Sequence, residues 1–422
     1  MQPRIELLPG VYLRAIRTDR FKTGYLNLNF VRPLTADEAP LASLLPSVLL
    51  RGTRSCPDMR RISAFLDEHY GASVGTLVRK KGEILTTGFF ADFLEEDYLP
   101  AGERVFAPVL DFLGELLFAP RMENGRFLHE VFEGEKRNLL DTIDWRLNDK
   151  RTYSVYRMLR AMCRDEAYGV PRLGERPEAE AITPEKLLDY YRDMPASSRL
   201  ELFYMGRRSE EEVAAALKAM LAPLRRETLT PAATEVVRSA GEVREVEETL
   251  AVKQGKLCIG LRTGITGVDP DYPALLLLNA VFGAGTTSKL FMNVRERMSL
   301  CYYASSSVEI HKGIMVVSSG IEASNYDRAR EEIFRQLDAC VRGDVTDEEL
   351  ENARRALLSA LRGSLDSPGR MDEYSLGCAL LGRDLPVETL MERISAVTLP
   401  ELCAAARKLS VDTIYFLRGA EE

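Results

Sequence analysis

Apolar and polar positions alternate in two stretches that lie far apart in this chain. Tyr25-Leu26-Asn27-Leu28-Asn29-Phe30 and Lys256-Leu257-Cys258-Ile259-Gly260-Leu261 both carry a period of two, which predicts strands. Further strands are predicted over 84–90, 302–310 and 314–319. Elsewhere the apolar spacing lengthens to the rhythm of amphipathic helices. Thr35-Ala36-Asp37-Glu38 predicts a capping box opening a helix toward Leu50, and a second helix is expected over 57–70. Longer helices are expected over 103–117 and 327–341.

The pattern occurs twice. Ala181-Ile182-Thr183-Pro184-Glu185, running on to Leu202-Phe203-Tyr204-Met205-Gly206, has an echo in Ala396-Val397-Thr398-Leu399-Pro400-Glu401, running on to Tyr415-Phe416-Leu417-Arg418-Gly419. Both read as a Thr-capped helix followed by a buried strand that ends in Gly. A second echo sets Glu133-Gly134-Glu135-Lys136-Arg137 beside Glu351-Asn352-Ala353-Arg354-Arg355. The offsets are 215 from Ile182 to Val397, 213 from Gly206 to Gly419 and 218 from Glu133 to Glu351, so one unit is used twice. Strands interleaved with paired helices predict an α+β fold of two homologous domains, each a largely antiparallel sheet with helices packed on one face. The polar stretch 225–247 is expected to link a first domain, 1–224, to a second, 248–422.

A length of 422 residues exceeds what a single core supports and agrees with two domains. No stretch approaches the roughly 20 apolar residues of a membrane span; the most apolar, 275–282, reads as a buried helix. The start, Met1-Gln2-Pro3-Arg4-Ile5-Glu6, lacks the basic and then apolar organisation of a signal peptide. The seven cysteines show no C-x-x-C pair and are expected in the core. A cytoplasmic, reduced protein is expected. A net charge of −8 argues against nucleic acid, and the basic stretch 146–164 reads as a solvated helix face.

The three histidines, His69, His129 and His311, are widely separated, so a zinc site with two histidines on one helix face is impossible. His129 and Glu133, one turn apart, form at most half a site. Ser-His-Asp and Cys-His chemistry find no support, and no phosphate-binding glycine motif is present.

Phe282-Gly283-Ala284-Gly285-Thr286-Thr287-Ser288-Lys289-Leu290-Phe291, followed by Arg295-Glu296-Arg297-Met298-Ser299-Leu300-Cys301-Tyr302, resembles the Gly-rich turn, "S-R-L-F" helix and R-x6-Y element of the insulinase or mitochondrial-processing-peptidase (M16) family. The resemblance extends over nearly the whole chain. It implies the family's duplicated metallohydrolase fold.

Active members of that family hold zinc on H-x-x-E-H, just upstream of a Gly-Thr pair, with a further glutamate ligand on a later helix. Here the pair is Gly52-Thr53, and the register puts Ser43, Leu44, Leu45, Pro46 and Ser47 at the motif. The later glutamate falls seven residues beyond Glu135, at Thr142. The resemblance therefore implies that Ser43, Ser47 and Thr142 replace the three ligands and that Pro46 replaces the general base. No metal or other cofactor is expected in this chain.

The same resemblance implies that Arg295 and Tyr302 are retained, the arginine to hold substrate backbone and the tyrosine to steady the oxyanion, with Gly283 and Gly285 beside the substrate. Where active members show "N-A-x-T" on the strand that receives substrate, this chain has Gly71-Ala72-Ser73-Val74-Gly75-Thr76-Leu77-Val78. Peptide addition to a sheet edge needs backbone rather than those side chains. The leading expectation is a non-catalytic subunit that pairs with a zinc-bearing M16 chain, binds peptide and donates Arg295 and Tyr302 to the partner's site. The alternatives are a peptide-binding or assembly module without a role in proteolysis, and an independent enzyme built on His129.

Overall fold

The computed structural model describes residues 4–419; the first three residues of the stretch read for a leader lie outside them. The chain folds into two compact units. Neither is a contiguous half. The first takes the chain up to Asp144, then Val170–Ala233 and Pro368–Leu380, while the second takes Trp145–Gly169, Thr234–Ser367 and Leu381 onward. The expected boundary inside 225–247 coincides with one crossing, but two helical segments sit in the unit opposite to their place in sequence.

The first unit is built on β1 (Ile5–Leu8), β2 (Val11–Arg17), β3 (Thr23–Pro33), β4 (Ser73–Lys81), β5 (Ile84–Leu94) and β8 (Arg199–Gly206), in the order β1-β2-β8-β3-β5-β4. Only β2 and β8 run parallel. A short hairpin, β6 (Met122–Glu123) with β7 (Arg126–Phe127), stands apart. The second unit joins β9 (Arg244–Leu250), β10 (Gly255–Arg262), β11 (Cys301–Glu309), β12 (Ile314–Ile321) and β13 (Ser410–Gly419), in the order β11-β12-β10-β13-β9. Strand β9 pairs in parallel with β13, so the expected linker ends as an edge strand in which exposed Glu245 and Glu247 alternate with half-buried Arg244, Val246 and Glu248.

The period-two alternation marks strands correctly, but its polar face is not solvated. Leu26, Leu28 and Phe30 enter the main core of the first unit, while Asn27 and Asn29, on the other face, are buried as well. The helix Pro368–Leu380 covers that second face, and Asp372 accepts hydrogen bonds from Asn27 and, at 2.7 Å, from Arg79 of β4. In the second unit the helix Lys150–Met162 does the same. Met158 and Met162 pack with Cys258 and Tyr415, and a Cβ at Gly260 would lie 2.6 Å from both methionine sulfurs. The basic stretch is thus half buried rather than a solvated face, because its apolar side supplies the second cover of the sheet.

Local sequence explains the helix starts. Thr183 accepts from the Lys186 amide, and Thr398 with Glu401 forms a full capping box, so both copies of the repeat open alike. The first helix instead begins at Glu38: Thr35 accepts from the Glu38 amide, but the Glu38 carboxylate turns to Arg32 in a bidentate pair with both distances 2.7 Å. A charge-assisted pair outweighs the second half of a capping box.

Candidate functional site

The helix Glu38–Leu49 carries Ser43, Pro46 and Ser47, and the helix His129–Trp145 carries Glu135, Asn138 and Thr142. Ser43, Ser47, Glu135, Asn138 and Thr142 line a single cavity of about 240 Å³, closed on another side by Thr76 and Val78 of β4. Three of the four positions expected to have lost the metal chemistry therefore meet in space. Pro46 does not line the cavity; it is buried within its helix.

Two of the hydroxyls in this cavity are committed to helix carbonyls. The Ser43 hydroxyl donates to the Ala39 carbonyl at 2.9 Å, and the Thr142 hydroxyl donates to the Asn138 carbonyl at 2.7 Å. The Glu135 carboxylate is buried and pairs with Arg51 at 2.5 Å. Zinc requires imidazole, thiolate or free carboxylate donors in a tetrahedral array. Two serines, a threonine and a carboxylate already neutralised by arginine do not fit it. No cluster of three or more His, Cys, Asp or Glu residues suited to a metal occurs among the described residues.

The histidines have other neighbours. His69 bonds the Phe65 carbonyl at 2.7 Å through Nδ1, and His311 lies buried at 2.8 Å from Glu309. His129 opens the helix that Glu133 follows one turn later.

The second candidate lies in the other unit and is described by itself. Arg295, Ser299, Tyr302, Glu322 and Asn325 line a cavity of about 460 Å³. Leu290–Arg297 winds as a π-helix, which advances each side chain less than an α-helix would. It is held in place from one side: Lys289 pairs with Glu349 at 2.8 and 3.0 Å, and Asn293 donates to Gln336 at 3.0 Å. Ser299 then adopts a positive φ of 49°, uncommon outside glycine, and turns the chain into β11. Tyr302 falls at an irregularity of the β11–β12 ladder between Cys301 and Tyr303, and it is 67% exposed. An unpaired residue of this kind re-aims its side chain out of the sheet. Arg295 stacks over Phe291 at 4.5 Å and stands 3.6 Å from Glu296.

Gly283 and Gly285 do not line this cavity. Gly283 receives the Ser306 amide at 3.0 Å on its carbonyl, and a Cβ there would lie 2.4 Å from the Ser306 hydroxyl, so its smallness allows the preceding helix to dock on β11. Gly285, at φ 121°, supplies the turn.

Strand β4 does lie at a sheet edge, whereas sequence reasoning missed the Arg172 side chain beside the first cavity and the ion cluster of the second unit. In that cluster Arg262 meets Asp412 at 2.9 Å and Glu166 at 2.5 Å, while fully buried Lys312 meets Glu166 at 2.6 Å. Arg262, directly after the predicted strand 256–261, is the signal that could have found it.

Residues 181–357 match the family described as Peptidase M16 inactive domain. The chain is 34% identical over 412 residues, 98% of its length and 96% of the relative's, to the protein named "Probable inactive metalloprotease YmfF" of Bacillus subtilis. Among solved structures it is similar to a conserved protein from Enterococcus faecalis, with a TM-score of 0.92, 30% identity and coverage of 100% and 99% of the two chains. It also shares the fold of a peptidase M16 inactive domain from Pseudomonas fluorescens, with a TM-score of 0.78, 17% identity and coverage of 97% and 96%. No helix among the described residues is long and apolar enough to cross a membrane.

Proposed function

The chain belongs to the inactive branch of the M16 peptidase family, and from that premise we propose that it is the non-catalytic subunit of a two-chain zinc peptidase. One observation carries the reading: Arg295 and Tyr302 line one cavity, while Ser43, Ser47 and Thr142 line the cavity where the ligands would stand. A chain that had lost all use for peptide chemistry has no reason to hold a tyrosine hydroxyl in the open at an unpaired strand position, placed by a π-helix.

In this reading the partner supplies the zinc and its activated water, and this chain supplies donors. The Arg295 guanidinium offers up to five N–H groups to substrate carbonyls. The Tyr302 hydroxyl donates to the oxygen that gains charge as the amide carbon becomes tetrahedral. Such a donor, already oriented in a site closed to water, typically changes the rate by 10²–10³. Edge strand β4 offers backbone groups for an extended peptide.

The test is reconstitution. The purified chain alone should hold no stoichiometric zinc and leave an unfolded peptide intact; adding a co-encoded M16 chain that carries H-x-x-E-H should give cleavage above that chain's own rate. A rate that this chain does not raise would reject the subunit reading. The peptide-binding module without proteolysis is supported by the same edge strand, and survival of every partner-dependent activity in Arg295→Ala would favour it.

A further inference from the structure

We infer that the cavity at the lost metal position is a recognition pocket for a carboxamide side chain, an Asn or Gln of a peptide lying along β4; the inference rests on the peptide-binding reading above. At about 240 Å³ the cavity is smaller than the roughly 300–1,000 Å³ of small-molecule sites, which suits one side chain rather than a cofactor. Its wall includes Thr76 and Val78 of the edge strand, so a residue of an added strand has the pocket beside it.

The chemistry of the lining selects among side chains. Ser43 and Thr142 have each spent their single O–H on a helix carbonyl, so toward the cavity they present lone pairs only. They therefore call for a donor. Glu135 adds a carboxylate, but Arg51 neutralises it, and the exposed Arg172 side chain also lines the cavity, giving no net attraction for an ammonium or guanidinium group. A carboxylate could pair with Arg172, but having no N–H or O–H it would leave the Ser43 and Thr142 lone pairs facing its own. An aliphatic side chain would contact Leu44, Leu139 and Leu173 but strip water from the Ser43 and Thr142 oxygens without replacing it. A primary amide satisfies both demands at once: its NH₂ donates to Ser43 and Thr142, and its carbonyl accepts from Arg172 or the Ser47 hydroxyl. Arg172, whose Nη1 donates to the Val78 carbonyl at 3.1 Å, ties the pocket to the edge strand itself.

The experiment is calorimetric titration of the full chain with four short extended peptides that differ only in a central Gln, Glu, Lys or Leu. The Gln peptide should bind roughly tenfold tighter than the others, and both Thr142→Val and Ser43→Ala should bring it close to the Leu peptide. Equal binding of all four, or a Gln preference untouched by either substitution, overturns the carboxamide pocket while leaving peptide binding intact. Absence of binding by all four overturns both readings.

Discussion

The Thr87 hydroxyl donates at 2.7 Å to the Ala42 carbonyl, the group that Pro46, having no amide hydrogen, cannot satisfy one helical turn later. Pro46 stands where a general base is expected from the family pattern, so the loss of that base also leaves a buried backbone acceptor, and β5 has a hydroxyl to meet it. Thr87→Val should destabilise the chain by about 1–3 kcal/mol through the orphaned carbonyl. In a Pro46→Ala background, where the amide is restored, the same change should cost clearly less. Denaturant unfolding of the four proteins reads the coupling, and additive effects would disprove it.

If the first cavity descends from a metal site, restoring the ligands should restore the ion. Ser43→His, Ser47→His and Thr142→Glu together should bind zinc near one equivalent by mass spectrometry, and the unchanged chain should not. Secondary structure by circular dichroism verifies folding of the variant. A folded variant without zinc would show that these positions do not share the required geometry.

The ion cluster of the second unit predicts an acid transition. Burial works to raise the Glu166 carboxyl, but hydrogen bonds and charge from Arg262 and Lys312 outweigh it and hold the group below its ordinary range. A carboxyl lowered in the fold contributes stability above its unfolded pKa of about 4.3 and loses it as pH falls through the lower folded value. Thermal unfolding should therefore show the wild-type Tm falling below about pH 4, with a shallower fall in Glu166→Gln. Parallel curves would exclude Glu166 as a source. Arg262→Met should cost about 3–5 kcal/mol at neutral pH, since Asp412 and Glu166 both lose a buried partner.

Much of this was legible in the chain. The repeat offsets, the Thr183 and Thr398 caps and the strand periodicity follow from local chemistry, and the structure bears out the two-sheet α+β fold. The exchange of helices between units was not legible, because period-two alternation in β3 does not tell a solvated polar face from one buried under Asp372. Residue 302 was readable from its spacing to Arg295, whereas its place at a ladder irregularity was not. The positive φ that turns the chain just ahead of it sits at Ser299, a residue with no sequence signature for that conformation.

Gly283 offers a check on how the second cavity is held. Gly283→Ala places a methyl 2.7 Å from the Ser306 amide nitrogen, which is backbone and cannot swing away. The substitution should lower stability by about 1–3 kcal/mol. An unchanged Tm would show that the turn yields.

The account turns on chemistry donated between chains, so the most direct measurement is kcat/KM of the assembled pair with Arg295 and Tyr302 altered in this chain alone. Tyr302→Phe should lower it by roughly 100-fold, and Arg295→Ala should lower it chiefly through KM, while assembly persists in both. Full activity of both altered pairs would contradict the account.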